Sequence, residues 1–583
     1  MIKHIRWQIL LVFIGIGLLI ALLAFVAFNF TTEWVAGRGG TYVEGLAGTP
    51  QFINPLLCQA NEVDGDLCSL VFNGLTRLNH HGQLEPDLAE RWEQSPDGLS
   101  YTFHLRPDLR WHDGIPLTAS DVVFTLELIQ DPSFPGPVDW RDLWRTVTVT
   151  QLDEETLRFD LEQPFAPFLD YTTVGILPRH ILQDVSAIEL PGHPFNLNPV
   201  GTGVFKWTEI VTDTGSVPHI ILSANPFFHG RRPQITRIQF KLFPNDQAVF
   251  QAYLENEVQG VAHISNADLT QARGNEDLQL FSSTLPRYSL IYFNLASETA
   301  PFLAEREVRQ ALLYALDRQA IIDNVLDGQG VVVNSPILAD SWAYDPSIPT
   351  YAYDPEETIV LLEEAGWLAT RGSVTRAITS TSSVSRTIGT WFKDREPLAF
   401  SLLVSDDPEK LAVAEEISRQ WAAMGIAANI EPVSSGFLTE RLEPRDYEAA
   451  LVDMDLTTVG DPDPYAFWHQ TQIDPPGQNY AGYDDREMSE ILEQARLTAD
   501  QQTRTSYYHQ FQQRFAQDVP AILLFSPVYN YAVDRYVYGV HVGPLVRPGD
   551  RFLGIADWFV RWRRVIRSSD QDDVAGETLA ANP

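Results

Sequence analysis

The stretch that decides the fold runs from Pro86 to Ile129: "PDLAERWEQSPDGLSYTFHLRPDLRWHDGIPLTASDVVFTLELI". Its middle part, "LSYTFHLRPDLRW", alternates and is rich in strand formers. Tyr101, Phe103 and Leu105 fall on one face, Thr102 and His104 on the other. "HDG" reads as a turn, with Gly114 supplying permissive backbone angles. Thr118 is placed to cap a helix, and Asp121, three residues on, to reach back as a capping box. Val122, Val123, Leu126 and Ile129 then face a core. His112 beside Asp113 resembles half of a catalytic pair. The local reading is architectural: Asp113 serves the turn and His112 ends the strand.

The same grammar recurs along the chain. "DPEETIVLLEEAGW" opens with an N-cap Asp354, carries Pro355 at the first helical position and stops at Gly366. In "DPEKLAVAEEISRQWAAMGI", Leu411, Ala414, Ile417, Trp421 and Met424 form an apolar stripe that Gly425 ends. Strand-like "LAFSLLVS" precedes it and "IAANIEPV" follows. That strand–helix–strand order implies a parallel pair and an α/β lobe. "REVRQALLYALDRQAIIDNVL" reads as one long amphipathic helix. Residues 371–390 are Ser/Thr-rich and read as an exposed loop, and the polar tail 568–583 as disordered. "RWRRVIR", 561–567, is a basic patch read as a solvated helix end, with acidic lipid or the protein's own acidic body as the competing partner.

The chain has 583 residues and a formal net charge of −36, which argues against a phosphate backbone as partner. Lys3, His4 and Arg6 precede an uncharged apolar run, Ile9 to Phe28. Twenty residues at about 1.5 Å each span a bilayer core. We read a retained N-terminal transmembrane helix with its basic side in the cytoplasm. A long cleaved signal is the alternative, and in both the body is exported. Cys58 and Cys68 stand ten positions apart. In an oxidising compartment they read as a disulfide; the alternative is a pair of buried thiols.

The decisive stretch resembles the signature of the family 5 extracellular solute-binding proteins, the oligopeptide/dipeptide/nickel-binding components of ABC importers. "FINPLL", "LVFNGLTRL", "NPVGTGVFKW", "YFNLASETAPFLAEREVRQALLYALDRQAII", "GDPDPYAFW" and "NYAGYDDREMSEILEQA" follow in the family's order and cover most of residues 42–540. The resemblance implies an α/β fold of the periplasmic-binding-protein-like type II: two α/β lobes joined by a hinge, plus an extra scaffold lobe. Carried over, residues 1–41 are cytoplasmic stub, membrane anchor and linker. Lobe I is 42–74, 181–285 and 526–567; lobe II, the scaffold, is 75–180; lobe III is 286–525.

It also implies a function. A peptide or another small organic solute is captured between lobes I and III by hinge closure and delivered to the permease subunits of an ABC importer. The protein would act as a monomer at the extracytoplasmic face of the cell membrane, with no cofactor, metal or catalytic residue. Peptide binders of the family place a carboxylate just before the "GDPD"-like motif, three residues after a Trp. The matching positions here are Asp455, where the family often has Trp, and Thr458, where peptide binders have Asp. Both depart from the pattern, so a carboxylate is relocated or the ligand is not a peptide. Asp461, Tyr465, Trp468 and Tyr480 are further ligand candidates, with Asn54, Thr202 and Gly203 on the lobe I side. For Asp461 and its neighbour Asp463 the competing role is to cap turns before Pro462 and Pro464.

Rival readings are weaker. No H-E-x-x-H, G-x-S-x-G or Walker loop is present, which argues against an enzyme. Thirteen scattered His and four Met form no metal pattern, against a nickel or metal-chelate binder. A ligand-sensing receptor built on the same body would need a membrane partner to signal.

Overall fold

A computed structural model describes residues 14–566 apart from 24, 27, 28, 30, 80, 81, 213–216, 371–388 and 457–460. Thr458, nearly all of the Ser/Thr-rich segment and the tail 568–583 lie outside the described residues.

The decisive stretch folds as its pattern implies. Ser100–Leu105 is a strand that buries Tyr101, Phe103 and Leu105. It pairs antiparallel with Ala89–Gln94 and Thr156–Leu161, and the latter with Val147–Gln151. The helix Ala119–Gln130 starts with the Thr118/Asp121 capping box, the Thr118 N–H donating to Asp121 Oδ2 at 2.9 Å.

Among the described residues the dominant sheet has twelve strands. On one side Thr41–Ala47 runs parallel to Arg237–Phe243, followed outward by His219–Ala224 and Phe205–Val211. On the other, Ala399–Ser405 runs parallel to Ala427–Val433 across the helix Pro408–Ala423. Ala449–Asp455 and Arg287–Phe293 follow. The two sides meet on one long strand, Ala521–Asp534. Its first part pairs with Arg287–Phe293 and its second with Leu278–Thr284. The chain thus crosses between the sides at Leu285–Pro286 and again at Ser526–Pro527. A proline cannot donate to a ladder, and Pro286 falls between two strands; at Ser526–Pro527 the long strand pairs instead with Gly330–Val332. A short polar chain holds this crossing: exposed Ser282 donates through Oγ to buried Asn530 Oδ1 at 2.6 Å, and Asn530 Nδ2 to buried Gln329 Oε1 at 3.2 Å.

The core follows the same division. One cluster of buried hydrophobics joins the four-stranded sheet to the Thr41–Ala47 side and runs on to Trp558. Two others cover the two faces of the sheet between Tyr288 and Phe525.

Several expectations are corrected. Residues 306–325 form two helices, Arg306–Tyr314 and Arg318–Val325, because Asp317 caps a new start by accepting from the Ala320 N–H at 2.9 Å. "RWRRVIR" is not a helix end: Trp562–Ile566 is a strand paired antiparallel with Thr32–Ala36. Cys58 and Cys68 are free thiols, both buried. Burial pushes the Cys68 thiol well up, and its hydrogen bond to Cys58 adds to this. Of the apolar run Ile9–Phe28, residues 9–13, 24, 27 and 28 lie outside the described residues; 14–23 are helical with exposed apolar side chains. Among the described residues no helix is long and apolar enough to cross a membrane.

Candidate binding site

Asp455 ends the strand Ala449–Asp455, whose alternation buries Val452 and Met454 and leaves Asp453 and Asp455 on the exposed face. Lys410 Nζ reaches Asp453 Oδ1 at 2.7 Å. Asp455 stands opposite Arg287 in the ladder. Arg287 in turn lies 3.3 Å from Glu62, on the helix Glu62–Val71 of the other side. The strand end that carries Asp455 therefore abuts the junction between the two sides of the sheet.

Beyond 457–460 the chain is held by two arginines. Asp461 takes both Nη atoms of Arg504 at 2.5 Å, and both side chains are buried. Asp463 accepts Arg496 Nε at 2.6 Å and the Tyr465 N–H at 3.1 Å, so it caps its turn as read. The Tyr465 ring lies under the Arg496 guanidinium at 3.7 Å and stacks on His469 at 4.0 Å. Trp468 is buried against Phe515 and Tyr292, and Tyr480 meets Tyr292 edge-on. Burial works against the charge on Arg504, but Asp461 outweighs it and holds the guanidinium above its ordinary value.

Asp170, on the turn Phe168–Tyr171 beside the four-stranded sheet, faces this cluster. Burial first, then Asp461, push its carboxyl up to about 8, against the pull of Arg504. The same turn is tied to the cluster by the Ala166 N–H, which donates to Arg496 O at 2.8 Å.

The remaining candidates lie elsewhere. Asn54 is buried, accepting from the Leu56 N–H at 3.1 Å and donating to Asn196. Thr202 donates to Asn73 at 3.0 Å, and the Gly203 N–H donates to Val71 O at 2.8 Å. A Cβ at Gly203 would stand 2.2 Å from Leu70 O, so glycine is required for that close approach. Among the described residues no hydrogen bond, ion pair or ring contact joins Asn54, Thr202 or Gly203 to Asp461, Tyr465, Trp468 or Tyr480. A 380 Å³ groove lined by Phe124, Glu127, Arg179 and Asp184 includes none of the candidates.

His112 is also resolved. Its Nδ1 accepts the Gly201 N–H at 3.2 Å, so its Nε2 carries the proton given to Gly203 O at 3.1 Å. Asp113 accepts the Ile115 N–H in its turn and His180 at 2.8 Å. His112 is a clasp on 201–203, and Asp113 points to different partners.

Sequence reasoning missed Arg496, Arg504, Asp170, Lys410 and Arg287. Asp461 and Asp463 flank prolines two positions apart, and two carboxylates drawn toward a core call for cations. That signal says nothing of which arginines answer it.

Two α/β sides sharing one long strand, with a carboxylate-bearing strand end at their junction, define a hinged solute-binding body. Over residues 83–478 the chain matches the family described as bacterial extracellular solute-binding proteins, family 5 Middle, and it belongs to that family. It is similar to the oligopeptide-binding protein AppA of Bacillus subtilis: 27% identical over 527 residues, covering 88% of this chain and 92% of the relative. The dipeptide-binding protein of Escherichia coli matches at 27% over 525 residues, covering 87% and 92%. The structure of AppA in complex with a nonapeptide superposes with a TM-score of 0.71 at 26% identity, covering 90% of this chain and 100% of that one. NikZ from Campylobacter jejuni, in complex with Ni(L-His), gives 0.71 at 25% identity, covering 89% and 99%.

Proposed function

We propose that the protein captures a peptide or another small organic solute by hinge closure and delivers it to the permease subunits of an ABC importer, from a body tethered at the extracytoplasmic face by its N-terminal apolar run. The observation that carries this reading is the shared strand Ala521–Asp534. Two sheet halves joined through a double crossing at Leu285–Pro286 and Ser526–Pro527 can swing with little loss of pairing. The peptide named for AppA and the dipeptide named for the Escherichia coli relative supply the ligand class.

Asp455, at the strand end beside the junction, and Thr458 are the ligand contacts in this reading. Asp461, Tyr465, Trp468 and Tyr480 form the supporting wall, which their burial and mutual packing favour. Asn54, Thr202 and Gly203 stiffen the opposing lip. Closure is driven by whatever affinity the ligand has for the closed form over the open one. No covalent step is involved.

The test is a thermal melt of the full chain in detergent, with and without a pool of di- to pentapeptides. A ligand at a hundred times its dissociation constant adds about 2.7 kcal/mol to the folded state. An upward shift that Asp455→Asn abolishes supports peptide capture through that carboxylate. A folded, ligand-free sample that ignores peptides but shifts with Ni(L-His) or an opine moves the ligand class and leaves the hinge reading intact.

A further inference from the structure

The apolar run ends at Phe28, and four residues later the chain enters the strand Thr32–Ala36, which pairs with the last described strand, Trp562–Ile566. This ribbon brings the two ends of the body together. Trp34 is opposite Arg564 and Ala36 opposite Trp562, so Trp34, Trp562 and Arg564 share one face. Trp34 is 54% exposed and Trp562 40% exposed. The Arg564 guanidinium lies 5.4 Å over the Trp34 ring and bonds Asn29, at the end of the apolar segment. Arg563, opposite Val35, and Arg561 before it fall on the other face of the ribbon; with Arg38 they are exposed and form no ion pair among the described residues.

Two features make this patch unlike the rest of the surface. The chain carries 77 acidic and 41 basic Lys/Arg residues, yet Arg561, Arg563 and Arg564 fall within four positions, beside Arg38. The ribbon is also fixed to the body. The Gly37 N–H donates to Arg561 O at 2.8 Å, and the Trp562 ring packs on Phe559 at 4.8 Å and on Tyr538 at 5.1 Å. A surface held rigidly to the body, directly after an apolar segment, sets the body's orientation on whatever it touches.

We propose that this ribbon stands edge-on on the bilayer that holds the N-terminal segment, with Trp34 and Trp562 of one face in the interfacial layer and Arg561 and Arg563 of the other, with Arg38, reaching anionic lipid headgroups. Trp is at home at that depth because one end of its ring is apolar and the other donates a hydrogen bond. Each arginine near an anionic surface contributes about fivefold to surface residence, screened beyond a Debye length of about 8 Å at physiological salt. Elsewhere the acidic body is repelled by the same lipid, so the ribbon is the side that faces it. The inference rests on the tethered reading above.

The test uses the full chain in nanodiscs of brominated phosphatidylcholine, with and without phosphatidylglycerol. The signal is the bromine quenching of tryptophan fluorescence that a Trp34→Phe/Trp562→Phe variant lacks. That difference should be present, grow about twofold with phosphatidylglycerol and fall with added salt. It should be lost in Arg38→Gln/Arg561→Gln/Arg563→Gln, a variant expected to melt like the parent because these side chains are exposed and unpaired. Equal quenching in the parent and the double Trp variant overturns the proposal, as does a difference indifferent to lipid charge, which would place the arginines against the protein's own acidic surface. A chain that fails to enter discs at all sinks both the tether and the ribbon; one that enters with these tryptophans unquenched sinks the ribbon alone.

Discussion

At the scale of single residues, His112 has the most to say. Burial holds its ring neutral and lowers its pKa to about 4, with the charge of Lys206 adding and the Gly203 carbonyl and Asp113 opposing. The unfolded chain takes a proton at about 6.5. A depressed value means that the folded form binds fewer protons, so this contribution is complete above about 6.5 and is lost as pH falls toward 4. His112→Ala leaves the Gly201 N–H buried without a partner, while the Gly203 carbonyl keeps its bond from Asn225 Nδ2 at 2.9 Å. We expect a loss of about 2–3 kcal/mol at pH 7.5 and a flatter melting curve between pH 6.5 and 4. A variant that keeps the parent's acid slope would show that another group sets it. Cys58 and Cys68 belong to the same scale: their ten-residue spacing suggests a disulfide, and both are buried free thiols.

At the scale of elements, the C-terminal turn Pro548–Phe552 is tied to the body by one buried cation. Arg551 bonds Glu44 through Nε at 3.0 Å and Asp66 through Nη1 at 2.7 Å, joining that turn to the strand Thr41–Ala47 and the helix Glu62–Val71. Burial works against its charge, but Asp66, Tyr529 and Glu44 outweigh it and hold the guanidinium above its ordinary value. Arg551→Ala strands two buried carboxylates and should cost about 3–5 kcal/mol, read from the denaturant midpoint. Arg551→Met with Glu44→Gln and Asp66→Asn should recover most of that; no recovery would mean that shape, not charge, is at stake. Local elements were legible because their signals are local: the alternation at Tyr101–Leu105, the Thr118 box and the Pro408–Ala423 stripe lie within a few residues of what they specify. Trp562–Ile566 was misread because its partner is more than five hundred positions away. The long helix was split by Asp317, which competes for the backbone like any N-cap. In the site, the strand end and the capping Asp463 could be read; Arg496 and Arg504 could not, since nothing in their own helices reports which carboxylate they meet.

At the scale of the whole molecule, Asp170 couples the scaffold sheet to the opposite side. Its turn touches the cluster of Asp461, Asp463, Arg496 and Arg504, and the carboxyl is raised to about 8 by burial and by Asp461. On the proposed hinge closure, separating the two sides would return Asp170 to water and to a value near 3.9. The joined form then holds a proton that the separated form releases above about pH 4. Contact is therefore favoured at low pH and weakens as pH rises toward about 8, after which no further loss is expected. The effect should be on the order of 1–2 kcal/mol between pH 6 and 8.5, seen as a larger radius of gyration of the ligand-free protein by small-angle scattering at the higher pH. Asp170→Asn keeps the shape without the charge. It should hold the compact form at both pH values and raise the melting temperature at pH 8.5 by about 2 °C. Expansion that persists in Asp170→Asn would assign the titration to another group and leave the turn at Phe168–Tyr171 a passive contact, with hinge opening governed by the crossing strands alone.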